Sequence, residues 1–88
     1  MALVKVYANL RTIIGKKELS IPGQSIQEVL GKLIQDYPGL QQFLLDEGKL
    51  RPRVIITRNG QTLDPSTILQ ASISDQDQVA IFPPVAGG

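Results

Sequence analysis

The chain contains no cysteine and no histidine. Disulfides, thiolate nucleophiles, imidazole general bases and most zinc sites need those side chains, so four common chemistries are excluded at once. Charge of either sign is scarce as well. Nine basic side chains against eight acidic ones leave a formal net charge of +1, which argues against a nucleic-acid binder, whose footprint is a clustered surplus of Lys and Arg. No apolar run approaches the ~18 residues of a membrane span, and the N-terminus lacks the basic-then-apolar order of a secretory signal. The expected compartment is the cytoplasm, with no membrane partner. There is no G-x-x-x-x-G-K phosphate loop, internal repeat or low-complexity tract. What remains is an ordinary composition, 42% hydrophobic and 19% charged over 88 residues, enough for one domain with one core.

Residues 3–10 alternate, with Val4, Val6, Ala8 and Leu10 on one face and Lys5, Tyr7 and Asn9 on the other, the pattern of a half-buried strand. Gly15 is the expected turning residue, and residues 18–21 alternate again through Leu19 and Ile21, so the two runs read as a hairpin. Pro22-Gly23 ends it. Ser25 and Glu28 have the S-x-x-E spacing of a capping box, which predicts a helix start. Ile26, Val29, Leu30, Leu33, Ile34 and Tyr37 then fall on one helical face, and Pro38-Gly39 stops the helix. Gly31 inside it marks either close packing or nothing.

Residues 40–45 predict a short helical turn, 46–53 a loop, and 54–57 a β-branched strand. Asn59-Gly60 is the preferred type I′ turn, so residues 61–63 should return antiparallel. The last strand is expected over 78–82, with Val79 and Ile81 sharing a face. The order is strand, strand, helix, then three strands. That is an α+β, β-grasp arrangement: a mixed sheet of four to five strands on one main helix, with the first and last strands parallel at its centre. The domain is expected over residues 1–82 and an extended tail over 83–88.

The tail reads Phe82-Pro83-Pro84-Val85-Ala86-Gly87-Gly88. Each proline fixes its own φ, and together they favour the extended polyproline II form. Two terminal glycines carry no Cβ, so the α-carboxylate of Gly88 can be threaded down a channel only as wide as a backbone. Gly-Gly alone arises by chance in roughly one chain end in two hundred. The informative feature is its position after an alternating strand and a double-proline exit.

This ending resembles that of the ubiquitin-like sulfur carriers of the MoaD/ThiS family, most closely the small subunit of molybdopterin synthase. Tyr7-Ala8-Asn9-Leu10-Arg11 followed by Gly15 looks like the family's first strand and turn, although Thr12 stands where Glu is common and Gln76 where Gly is common. The resemblance implies that a partner activating enzyme uses ATP to adenylate the Gly88 carboxylate. A sulfur donor such as a cysteine desulfurase or rhodanese then makes the thiocarboxylate. Gly87 would accompany Gly88 into the reaction, while Phe82, Pro83, Pro84, Val85, Ala86 and Arg11 would dock partners. Those partners would be the activating enzyme and the large subunit of molybdopterin synthase, or another sulfur-accepting enzyme. The chain itself would hold no cofactor and no independent catalytic site. A carboxylate with a pKa near ~3.5 is ionised at pH 7 and a poor electrophile, which is why adenylation has to precede attack by sulfur. Without cysteine, sulfur carried by this chain would have to ride on its terminal carboxyl.

Other readings stand beside this one. The same tail suits carriers for cysteine or thiamine synthesis, and a ubiquitin-like modifier would join Gly88 to lysines of target proteins. A passive binding module with an inert tail is the third. Arg51, Arg53 and Arg58 with Lys49 form either a basic patch or a solvated rim. Phe82 is either a core or edge residue or an interface anchor. Asp75 and Asp77 more often solvate a turn than hold a metal.

Overall fold

Two strands from opposite ends of the chain form the centre of the sheet. The computed structural model describes residues 1–84. β1 (Ala2–Val6) and β7 (Gln78–Phe82) run parallel, with Val4 opposite Val79 and Val6 opposite Ile81. β2 (Glu18–Ile21) flanks β1 antiparallel, and β5 (Ile55–Arg58) flanks β7 antiparallel with β6 (Gln61–Thr62) beyond it. The five-stranded order is β2-β1-β7-β5-β6. β7 is therefore hydrogen-bonded along both edges before the chain leaves it, as expected for a β-grasp sheet.

The longest helix packs beside the sheet, followed by shorter helical turns. α2 (Ile26–Asp36) buries Ile26, Val29, Leu30 and Leu33. Its start is the expected cap: Ser25 Oγ accepts from the Glu28 amide at 3.2 Å, and the Glu28 carboxylate accepts from the Gln24 amide at 3.1 Å, one residue earlier than in a standard capping box. Gly31 points to open space, so it marks no close packing. A 3₁₀ turn (Pro38–Leu40) and the single-turn α3 (Gln41–Leu44) bring Leu40 and Leu44 into the core, the short turn expected there.

Two expectations are corrected. The first strand stops at Val6, not Leu10, and residues 9–14 form a helix, α1 (Asn9–Ile14). Leu10 is buried in either geometry, because it continues the alternation of Val4 and Val6 and also pairs with Ile14 at helical spacing. The hairpin partners are right, but α1, capped by a left-handed Gly15, joins them. Second, residues 46–53 are not all loop: β3 (Leu45–Asp46) and β4 (Lys49–Leu50) pair around Glu47 and Gly48, both at positive φ. That is type I′ geometry with Glu in place of the usual Asn or Asp, and so without its sequence signal. The second hairpin turn, Asn59-Gly60, has φ of 53° and 85° as its sequence predicts.

Candidate functional site

The last strand residue before the tail, Phe82, turns its side chain to the outer face of the sheet. Along β7, Val79 and Ile81 point to the core, so Gln78, Ala80 and Phe82 point away from it. The same alternation along β1 turns Lys5 and Tyr7 outward. On β5, Ile56 is buried and Ile55 faces out with 49% of its surface exposed. Register places Ile55 opposite Phe82 on one side, and Tyr7 stacks on Phe82 from the other, ring centroids 4.4 Å apart and planes 12° apart. An apolar row, Tyr7–Phe82–Ile55, thus crosses the sheet at the point where the chain departs. Beside it, a depression of about 330 Å³ is lined by Lys5, Tyr7, Thr57, Gln78, Ala80 and Phe82, among others.

Phe82 is half-buried, Pro83 is buried, and Pro84 is half-buried. The expectations placed on Val85, Ala86, Gly87 and Gly88 lie outside the described residues. Arg11, expected to dock a partner, is half-buried. Its Nε donates to the Val6 carbonyl at 2.7 Å, and its guanidinium carbon lies 4.7 Å from the Tyr7 ring centroid. The fold thus brings Arg11 and Phe82 together through Tyr7. Tyr7 and Ile55 are the residues that the sequence reading left out of the site. The outward parity of Tyr7 was visible in the alternation of β1, but the parity of Ile55 was hidden in an unbroken β-branched run.

The turn that connects Tyr7 to Arg11 is strained. Ala8 has φ 54° and ψ −134°, the geometry of the first central residue of a type II′ turn, normally glycine. The Leu10 amide donates to the Tyr7 carbonyl and the Arg11 amide to the Ala8 carbonyl, at 3.2 and 3.0 Å. Asn9 Oδ1 is enclosed beside this turn and has no hydrogen-bond partner among the described residues.

The remaining candidates have structural uses. Arg51 Nε donates to the Gln42 carbonyl at 3.0 Å, and Arg58 to the Ser72 carbonyl at 2.7 Å, each tying a loop to backbone. Asp75 pairs with the N-terminal ammonium at 2.8 Å. Asp77 accepts from the Asn59 side chain at 2.9 Å and from the Ser74 amide at 2.8 Å, and these bonds hold its carboxyl below the usual carboxylate range. The two aspartates thus serve separate contacts. Among the described residues no cluster of three metal-ligating side chains forms, and no helix is long and apolar enough to cross a membrane.

The chain is 36% identical over 77 residues to the sulfur carrier protein CysO of Mycobacterium tuberculosis, covering 84% of this chain and 83% of that one. In three dimensions it is similar to small archaeal modifier protein 1 of Methanosarcina acetivorans (TM-score 0.87, 32% identity, 99% of this chain and 95% of that one). It is also similar to a chain in the BexX/CysO complex of Amycolatopsis orientalis (TM-score 0.85, 28% identity, 100% of both chains). Residues 4–88 match the ThiS family, and the chain accordingly belongs to that family of ubiquitin-like β-grasp sulfur carriers and modifiers.

Proposed function

We propose that this protein is a sulfur carrier whose Gly88 carboxylate is adenylated by a partner enzyme, converted to a thiocarboxylate and presented to a sulfur-accepting enzyme. The observation that carries the reading is the apolar row Tyr7–Phe82–Ile55 at the root of a Pro-Pro-Val-Ala-Gly-Gly tail. Two half-buried aromatic rings beside the exposed Ile55 offer a partner an apolar anchor, and aromatic side chains are enriched among the residues that carry interface energy. In the first step a Gly88 carboxylate oxygen attacks the α-phosphorus of ATP, and pyrophosphate leaves. In the second, a sulfide-level donor attacks the acyl carbon, the bond to AMP breaks, and a thiocarboxylate remains. This chain's share is to dock, to project the tail and to supply the carboxylate; the ATP site and sulfur donor belong to its partners.

The tail sequence favours the large subunit of molybdopterin synthase as recipient. Likeness to the sulfur carrier CysO extends the choice to other sulfur-accepting enzymes of biosynthesis. A second reading, conjugation of Gly88 to lysine, is favoured by the likeness to an archaeal modifier. Mass spectrometry of the intact protein from its own cells tests both readings. A gain equal to the exchange of one oxygen for sulfur is the expected result, and Gly88 in isopeptide linkage to lysine would support conjugation instead. Deletion of Gly88 should abolish ATP-pyrophosphate exchange by the activating enzyme and leave the melting temperature unchanged. Normal exchange by the truncated chain overturns the carrier reading.

A further inference from the structure

We infer that Arg11 is a positioning residue for the tail, acting through the Tyr7 ring on Phe82 rather than by contact with a partner. The inference rests on the carrier reading for its consequence, but its geometry is independent of it. Arg11 is half-buried; it directs Nε to the Val6 carbonyl at 2.7 Å and lays its guanidinium on the Tyr7 ring, 4.7 Å from the centroid. Tyr7 in turn stacks on Phe82 at 4.4 Å. Three side chains, from α1, from the residue that follows β1 and from the end of β7, thus form one continuous contact that finishes at the last strand residue before Pro83.

The strained backbone supports this assignment. To bring Arg11 back over a ring four residues earlier, the chain reverses at Ala8 with φ 54°, a conformation unfavourable for an L-residue that persists only where its surroundings over-determine it. Three hydrogen bonds do so, from the Leu10 amide, the Arg11 amide and Arg11 Nε. Strain held at a docking edge, with its product a stacked guanidinium, points to a requirement on the geometry of the stack.

The length of the tail shows why that geometry matters. Gly88 lies six residues beyond Phe82 (88 − 82), a span of about 20 Å at full extension. In that fully extended limit a swing of about 10° at Phe82 corresponds to about 3.5 Å at the far end, whereas a misplacement of about 1 Å at a reacting centre can slow a reaction a hundredfold. Pro83 and Pro84 each fix φ, so a change of direction at Phe82 is carried through the first two residues of that span. Holding Phe82 by a ring stack and a cation keeps the root fixed.

The test uses the full chain and an activating enzyme that adenylates it, comparing Arg11→Lys, Tyr7→Leu and Tyr7→Phe. Affinity is measured by calorimetry, and adenylation as a single-turnover rate at saturating enzyme. Lysine keeps the charge but not the planar face or the Nε donor. The expected result is a rate about tenfold lower for Arg11→Lys with affinity within about twofold of wild type, a lower rate together with weaker affinity for Tyr7→Leu, whose ring belongs to the docking row, and wild-type values of both quantities in Tyr7→Phe, which keeps the ring. Weakened affinity at an unchanged rate in Arg11→Lys would make Arg11 a docking residue and overturn the inference, as would no change in either quantity. A second arm needs no partner: nuclear relaxation of the Phe82 backbone amide in the protein alone should show increased motion in Arg11→Lys and wild-type behaviour in Tyr7→Phe. Unchanged motion in Arg11→Lys overturns the inference even where adenylation fails for all forms, an outcome that would count against the carrier reading itself. Should Tyr7→Leu not fold, Arg11→Lys carries both arms.

Discussion

Phe82 lies between Tyr7 and Ile55 on the outer face of the sheet, stacked on the ring of the first and paired in register with the second. It is thus both the last residue of the central strand and the middle of the outward-facing apolar row. Phe82→Ala should weaken association with the activating enzyme by about 1–3 kcal/mol, the usual effect of truncating an aromatic anchor. Ile55→Ser should weaken it as well, without touching the stack. Calorimetric affinities equal to wild type for both variants would show that this face is not the docking surface.

Ala8→Gly should raise the melting temperature. Relief of about 1–3 kcal/mol of strain at φ 54° outweighs the ~0.4–1 kcal/mol of added unfolded-chain entropy that glycine brings. Thermal unfolding followed by circular dichroism checks the sign, and a lower melting temperature would mean that the Ala8 methyl makes contacts that offset the strain.

How much of this was legible in the sequence follows from how local each signal is. α2 was readable because its cap, Ser25 with Glu28, and its apolar face lie within a dozen residues. β7 was readable from the alternation of Val79 and Ile81. The end of β1 was not, because Leu10 satisfies a period of two from Val6 and a helical spacing to Ile14. Only the doublet Ile13-Ile14, which breaks alternation, signalled α1. The β3–β4 hairpin was hidden by Glu47-Gly48, a turn without the side chain that normally announces it. At the site, Phe82 and the prolines stood out by position, whereas the Tyr7–Phe82 stack depends on the parallel pairing of the first and last strands. No local pattern encodes the contact between those two rings, although the element order implied the pairing.

Neighbouring positions on α2 should respond oppositely. Gly31 faces open space, so Gly31→Ala should add about 0.5–1 kcal/mol from helix propensity alone. Leu33 is fully buried, and Leu33→Asp would place a carboxylate without a partner in the core of a small domain whose whole stability is about 5 kcal/mol or a little more. It should abolish cooperative unfolding. Urea titrations of both variants test the assignment of the two faces, and a Leu33→Asp protein that melts like wild type would refute it.

The last prediction concerns acid. Asn59 does more than form a turn: its amide donates to the Gln78 carbonyl at 2.8 Å, its side-chain oxygen accepts from the Gln78 amide at 2.9 Å, and its side-chain nitrogen donates to Asp77 at 2.9 Å. Asp77 also accepts from the Ser74 amide, so one carboxylate joins the β5–β6 turn to the loop that feeds β7. The Asn59 bond first, and the Ser74 bond second, hold the Asp77 carboxyl below its ordinary value. A folded-state value below the unfolded one means that the unfolded chain binds the proton first. The stabilisation is therefore complete at pH well above ~3.9 and is lost as pH falls through the depressed folded value. Asp64 contributes in the same direction through its bonds to the Ser66 amide and hydroxyl, so replacing Asp77 alone should reduce the acid dependence without removing it. Asp77→Asn should unfold at lower denaturant than wild type at neutral pH, and the two proteins should converge as pH falls below ~3.9. Urea midpoints measured across that range check it, and a constant gap between wild type and Asp77→Asn down to the lowest pH would show that the carboxylate's charge has no part in holding the loop.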